Sequence, residues 1–249
     1  MDKKLSILVL AAGKGTRMKS DLAKVLHPVL GQPMLAHVLN AARALKPARL
    51  VVVTGHQADQ VEAAVKADDI IFVRQTQQLG TGHAVAVTRE VLQDFSGTIL
   101  ILYGDLPLLL PQTMRKFLTK HKTIGTKLSV LTVILEDPGA YGRIIRDNEG
   151  FLARIVEARD ATQNQLAIKE INTGIYAVSG SVLFDLVGKL NQDNDQREFY
   201  LTDIVGLARR QGLLAAAIRT AHSEEVLGIN DQEELKRSVE LMKIRMGDA

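Results

Sequence analysis

The chain has no cysteine and no tryptophan, and aromatic residues make up only 4% of its 249 residues. Without cysteine there is neither a disulfide framework nor a thiolate nucleophile, which fits a reducing compartment, and the expected location is the cytoplasm. The six histidines, at positions 27, 37, 56, 83, 121 and 222, show no short ligand spacing, so no zinc site is expected. The scarcity of aromatics removes the stacking surface that single-stranded nucleic acid needs. The 31 Lys and Arg against 28 Asp and Glu are scattered and leave a formal charge of only +3. No nucleic-acid partner is expected, and phosphorylated small molecules account equally well for the excess. No apolar run approaches the ~20 residues that cross a bilayer, so no membrane partner is expected. What remains is an ordinary folded composition, 46% hydrophobic and 24% charged, with enough chain for a sizeable α/β core.

The strongest local signal stands near the start. Residues 6–12 are almost continuously apolar and too short for a comfortable helix, which predicts a strand buried on both faces of a parallel sheet. Gly13-Lys14-Gly15-Thr16-Arg17 follows, with Lys24 seven residues on. Glycine lacks Cβ and tolerates positive φ, so a polyanion can approach the backbone N–H groups of such a loop. A guanidinium at Arg17 can fork onto phosphate oxygens, and the Lys24 ammonium can act as a mobile point charge. The stretch reads as a phosphate loop on a strand end. It is not a dinucleotide loop, because Met18 stands where the third glycine belongs, and no Gly-x-x-x-x-Gly-Lys-Ser/Thr is present. Asp2-Lys3-Lys4, the apolar run and Ala11-Ala12-Gly13 also imitate a secretory leader. Asp2 spoils its basic start, and the residues past the supposed cleavage point suit phosphate binding.

Further on, helical spacing over 34–45 and 58–66 alternates with apolar strands at 50–53 and 70–73. A polar loop over 75–82 leads into a helix over 83–92 and a strand over 98–102. A helix over 111–122 and a strand over 127–133 continue the alternation, which predicts a doubly wound sheet with right-handed crossovers. Residues 141–146 and 151–156, joined by Asp147-Asn148-Glu149-Gly150, read instead as an antiparallel hairpin inserted for a second substrate. A strand over 170–177, a helix capped by Thr202 and closed by Gly212, a strand over 213–218 and a helix over 231–246 complete the chain. Leu235, Val239 and Met242 on that last helix form a core stripe. No linker or repeat appears, and a single domain over 1–249 is expected. Asp105 follows the strand over 98–102, so it should face the same crevice as the glycine loop, beyond the carboxyl ends of the strands.

Leu10-Ala11-Ala12-Gly13-Lys14-Gly15-Thr16-Arg17-Met18, with Lys24-Val25-Leu26 after it, resembles the signature of the sugar-phosphate nucleotidyltransferases. Within them it is most similar to the uridyltransferase domains of bifunctional N-acetylglucosamine-1-phosphate uridyltransferase/glucosamine-1-phosphate acetyltransferases. The resemblance spans nearly the whole chain. It implies a Rossmann-like doubly wound, mostly parallel sheet whose antiparallel hairpin serves the sugar, and transfer from UTP to a sugar-1-phosphate with release of pyrophosphate. It places Leu10, Ala11, Ala12, Gly13, Gly15 and Lys24 on the nucleotide, and gives Arg17, Lys24 and Asp105 catalytic roles. Gln75, Gly80 and Thr81 fall on the uridine loop. Tyr103, Gly104, Gly142, Glu157 and Asn172 fall on the sugar side, and Mg2+ falls between Asp105 and Asn230. Such chemistry needs no protein nucleophile, which suits a chain without a reactive cysteine or a Ser-His-Asp set. The bifunctional proteins continue into a left-handed β-helix of hexapeptide repeats. This sequence stops at Ala249, so no acetyl-CoA site is expected, and it is either a piece of such a protein or a stand-alone uridyltransferase. Competing readings are the same fold with another base or sugar phosphate, and a nucleotide-binding module without catalysis.

Overall fold

The computed structural model describes residues 5–247; Asp2-Lys3-Lys4 lies outside them. The strands are β1 (Leu5–Ala11), β2 (Pro28–Val29), β3 (Gln32–Pro33), β4 (Arg49–Thr54), β5 (Ile70–Arg74) and β6 (Thr98–Tyr103), then β7 (Leu128–Ile134), β8 (Arg143–Arg146), β9 (Leu152–Val156), β10 (Glu170–Ser179) and β11 (Ala215–Arg219). The main sheet runs β11-β7-β10-β6-β1-β4-β5. β1 is parallel to β4 and β6, β4 to β5, and β11 to β7, while β10 is antiparallel to both neighbours. The expected alternation and hairpin are both present. β8 and β9 pair antiparallel, and the hairpin joins the sheet where Arg143 meets Ile171.

The apolar opening run is explained by its two covered faces. Ile7 and Val9 pack with Leu50, Val52, Leu100 and Leu102 under the helices Met34–Arg43 and Pro111–Ile124. Leu8 and Leu10 pack with Val51, Val53, Ile99 and Ile101 under Thr81–Ala86, Gly180–Val187 and Asp203–Arg210. Side chains alternate across a strand, so a run with both faces covered must be apolar throughout. The chain leaves β1 toward β4 and β5, then returns to place β6 on the other side of β1. The order therefore reverses between β1 and β6, with Leu10 opposite Tyr103, and a crevice opens at their carboxyl ends.

Several details differ from the sequence reading. The helix expected over 83–92 is two, Thr81–Ala86 and Arg89–Leu92, because the ladder tightens at Thr88, whose N donates to the Val85 carbonyl at 3.1 Å with the backbone at φ -85°, ψ 3°. The helix Gly180–Val187 had no counterpart. Its apolar content covers the sheet, and Gly180 abuts the Phe95 carbonyl where no Cβ fits. Thr202 precedes the helix Asp203–Arg210 but does not cap it with its side chain; its hydroxyl goes elsewhere. Gly212 does close that helix. Gly212 N donates to Arg209 O and Leu213 N to Ala208 O, both at 3.0 Å, with Gly212 at φ 75°. The last helix, Gln232–Met246, is capped by Asp231, and Leu235 packs with Met18, Val29, Met34 and Ile229, as the core reading of its stripe requires.

Candidate active site

A cleft of about 780 Å³ opens at the switch between β1 and β6. Leu10 through Arg17 form one wall, and Lys24, Asp105 and Asn230 lie beside them. Gln75, Gly80 and Thr81 line a second side, and Tyr103, Gly142, Glu157 and Asn172 a third. The structure thus brings the residues singled out by sequence into one cavity, with one exception. Gly104 lies behind the wall, where a Cβ would press on Val25, Ala11 and Leu35 at 3.1–3.2 Å. A side chain at this position would disturb the packing between β1 and Leu35 beneath the site.

At the phosphate end Gly15 takes φ 60°, ψ 42° and starts a short turn, Thr16–Met18. Met18 is 1% exposed and is buried under the last helix, where Gln232 Nε2 donates to its carbonyl at 3.1 Å. A side chain anchor therefore stands where a dinucleotide loop would place glycine. The Asn230 Oδ1 accepts from Arg17 Nη2 and from Lys24 Nζ, each at 2.9 Å. Lys24 also pairs with the Asp105 carboxylate. Asn230 is aimed by its own amide, which donates to the Gly228 carbonyl at 2.9 Å, and Ile229 N donates to the Asp105 carbonyl at 3.0 Å. Asp105 and Asn230 thus turn two oxygens onto one ammonium, and oxygen donors of this kind suit a hard divalent cation. Among the described residues no group of three or more His, Cys, Asp or Glu could hold a metal. An ion between these two residues would need phosphate oxygens to complete its shell.

On the second side, Gln75 is 3% exposed and its Nε2 donates to the Gly80 carbonyl at 3.0 Å, beside His83 Nδ1. The amide is partly spent in shaping the loop. Gly80 has φ 107°, and a Cβ there would meet Phe199 O at 2.7 Å. Phe199 N donates to Leu79 O, Gly82 N to Phe199 O, and Leu201 N to Thr81 Oγ1. Residues 196–202 are thereby laced to the loop. Gln196, Glu198, Tyr200 and Thr202 line the cleft from this irregular segment, in which Arg197 takes φ 52°. Sequence reasoning passed over this segment. Its polar, glycine-poor text carries no periodic apolar signal that would mark it.

On the third side a bulge in β10 shifts register between Asn172 and Tyr176, with Gly174 at φ 79° against the Tyr103 ring. Asn172 Oδ1 accepts from Gly174 N at 2.9 Å and its Nδ2 donates to the Tyr176 hydroxyl at 3.0 Å. Glu157, just after β9, accepts at Oε1 from the Thr202 hydroxyl at 3.0 Å. Burial pushes the Glu157 carboxyl up, the Thr202 hydrogen bond pulls it partly back, and Asp160 and Asp203 add to the rise. Burial also raises the Tyr103 phenol, helped by Glu157 and Asp105, and pushes Tyr141 up to about 12.

A carboxyl raised in the folded state binds more protons there than in the unfolded chain. Stability is therefore lost as pH rises through the window from the ordinary carboxylate range to the raised value. Glu157→Gln removes the buried charge and keeps an acceptor for Thr202. Melting curves should show a higher Tm than wild type at pH 7 and a much smaller gain at pH 4, where both states mostly carry the proton. A lower Tm at pH 7 would show that the ionised carboxylate is stabilised by its surroundings.

Residues 7–202 match the MobA-like NTP transferase domain. The chain belongs to this family. Three relatives, each named bifunctional protein GlmU, come from Pelobacter propionicus, Geobacter metallireducens and Pseudomonas aeruginosa. They are 45%, 48% and 48% identical over 97%, 93% and 96% of this chain, which spans 53%, 49% and 52% of their lengths. The NTP transferase fold is shared with a putative glucose-1-phosphate thymidylyltransferase from Bacillus anthracis, at TM-score 0.75 and 17% identity over 95% of this chain and 94% of that one. A UDP-glucose pyrophosphorylase complexed with UDP-glucose superposes at TM-score 0.73 and 16% identity, over 96% and 98%. Among the described residues no helix is long and apolar enough to cross a membrane.

Proposed function

We propose that the chain transfers the uridylyl group of UTP to N-acetylglucosamine-1-phosphate, releasing pyrophosphate. The observation that carries this reading is the union of two chemistries in one cleft. Arg17 and Lys24 meet Asp105 and Asn230 at one end, while Tyr103, Glu157 and Asn172 line the other. The signature around the glycine loop and the relatives named GlmU support the choice of uridylyl and of this sugar.

The sugar phosphate is an anion at neutral pH, so its oxygen attacks the α-phosphorus of UTP without a protein base. The new P–O bond forms as the bond to the bridging oxygen breaks, and pyrophosphate departs with that oxygen. The chain's contribution is positioning and charge. Backbone N–H groups over Ala12 to Gly15 approach the phosphates, the Arg17 guanidinium forks onto their oxygens, and Lys24 neutralises charge gathering on the leaving group. Gln75, Gly80 and Thr81 hold the base, whose acceptors and single N–H donor match amide and backbone groups. Glu157 accepts from sugar hydroxyls and Asn172 both donates and accepts. Magnesium, with Asp105 and Asn230 as its protein ligands, supplies Lewis-acid charge stabilisation when bound.

Pyrophosphate release with four nucleoside triphosphates crossed against several sugar-1-phosphates tests the reading. UTP with N-acetylglucosamine-1-phosphate should give the highest kcat/KM. A clearly higher value for another pair would leave the cleft and its phosphate end intact but overturn the substrate assignment. Release with no pair at all would favour a binding module.

A further inference from the structure

Gln57 is absent from the cleft wall and sits in the turn between β4 and the helix Ala58–Val65. Its backbone takes φ 52°, ψ 39°, a conformation uncommon for a residue with a side chain and frequently retained where function requires it. That conformation is accompanied by a side-chain amide reaching across to the segment that carries Lys24. Oε1 accepts from Ala23 N at 2.7 Å, and Nε2 donates to the Asp21 carbonyl at 2.6 Å. Only a carboxamide offers an acceptor and a donor side by side to match a backbone N–H and C=O two residues apart.

The segment between the glycine loop and Lys24 has little else to fix it. Lys19, Ser20, Asp21 and Leu22 are exposed, and core packing resumes only at Ala23 and Val25, 1% and 6% exposed. Lys24 begins the turn Lys24–Leu26, in which Leu26 N donates to the Ala23 carbonyl at 2.9 Å. The Gln57 clamp therefore fixes the peptide immediately before Lys24, whose ammonium must reach Asp105 and Asn230 together.

We propose that Gln57 is a positioning residue of the transfer reaction, acting through Lys24. Binding the backbone of residues 21 and 23 holds the Lys24 Cα in register with the phosphate end of the cleft. The inference rests on the function proposed above. Displacing a charge-bearing group by an ångström costs as much as about a hundredfold in rate, so loss of the clamp should be read in turnover before it is read in folding.

The test is a double-mutant cycle on wild type, Gln57→Met, Lys24→Ala and the double variant. Methionine preserves length and removes both hydrogen bonds. The kcat/KM for UTP and, without the sugar phosphate, the Kd for UTP are measured for all four, so the cycle stays readable if turnover of Lys24→Ala is too low. Gln57→Met should lower kcat/KM about tenfold or more with Lys24 present, and by less than about twofold in the Lys24→Ala background. Kd should show the same non-additivity. Gln57→Glu, which retains the acceptor for Ala23 N, should fall between wild type and Gln57→Met. Equal losses in both backgrounds, or no loss with Lys24 present, would overturn the role of Gln57. A wild-type protein that binds no nucleoside triphosphate would overturn the proposed function instead.

Discussion

Asp105→Asn should fold like wild type and lose about a hundredfold in kcat. The substitution preserves shape and removes one negative charge at the point where Lys24 and Asn230 converge. Its backbone contacts survive, because Ile229 N binds the residue 105 carbonyl and the close approach of Gly228 depends on volume. The transition state, however, gathers charge on the departing pyrophosphate, and a carboxylate that anchors a divalent cation there is worth several kcal/mol. Roughly 3 kcal/mol corresponds to about a hundredfold in rate. Asn230→Ala should act in the same direction and more weakly, since water can replace a neutral oxygen ligand. The check is kcat across a magnesium titration, with Tm measured in parallel. Near-normal turnover of a folded Asp105→Asn protein at limiting magnesium would place the ion elsewhere.

Gly15→Ala should be about as damaging, through geometry. Gly15 stands at φ 60°, where a side chain costs roughly 1–2 kcal/mol. A Cβ there also runs into the Lys24 side chain. The alanine must therefore push away the lysine whose position the site depends on, and kcat/KM should fall about a hundredfold. Tm should fall by at least about 2–4 °C, the shift that ~1 kcal/mol produces in a domain of this size. Gly13→Ala is the control, because nothing lies within 4 Å of a Cβ there and its φ is not positive. It should leave Tm unchanged and weaken nucleotide use alone, by crowding the phosphates. Equal effects of the two substitutions on Tm would contradict the assigned backbone roles.

The two-sided apolar run of β1 and the glycines after it were legible because burial and close approach each demand a residue type. The strand order was legible because β and α text alternate. The hairpin showed itself by the change of texture at Tyr141, and it does join β10. Gly104 falls outside the cleft lining, and the packing demand of Val25, Ala11 and Leu35 on it was not legible, because a glycine within a ligand-side motif does not announce what lies on its Cβ side. Thr202 misled because a threonine before a helix is a common cap, whereas this hydroxyl binds Glu157. Residues 196–200 and Gln57 left no trace in periodicity. Their work is done by long-range hydrogen bonds to the 79–82 loop and to residues 21 and 23, and such pairings leave no mark on local sequence.

The central claim is that one cleft seats both substrates, so that the sugar phosphate displaces pyrophosphate directly without a protein nucleophile. The stereochemical course at phosphorus tests this most directly. UTP bearing a chiral α-thiophosphate is turned over with N-acetylglucosamine-1-phosphate, and the configuration of the sulfur-bearing phosphorus in the UDP-sugar is determined. A single in-line displacement inverts it, and inversion is the predicted result; retention would require a covalent uridylyl-protein intermediate and would contradict the account.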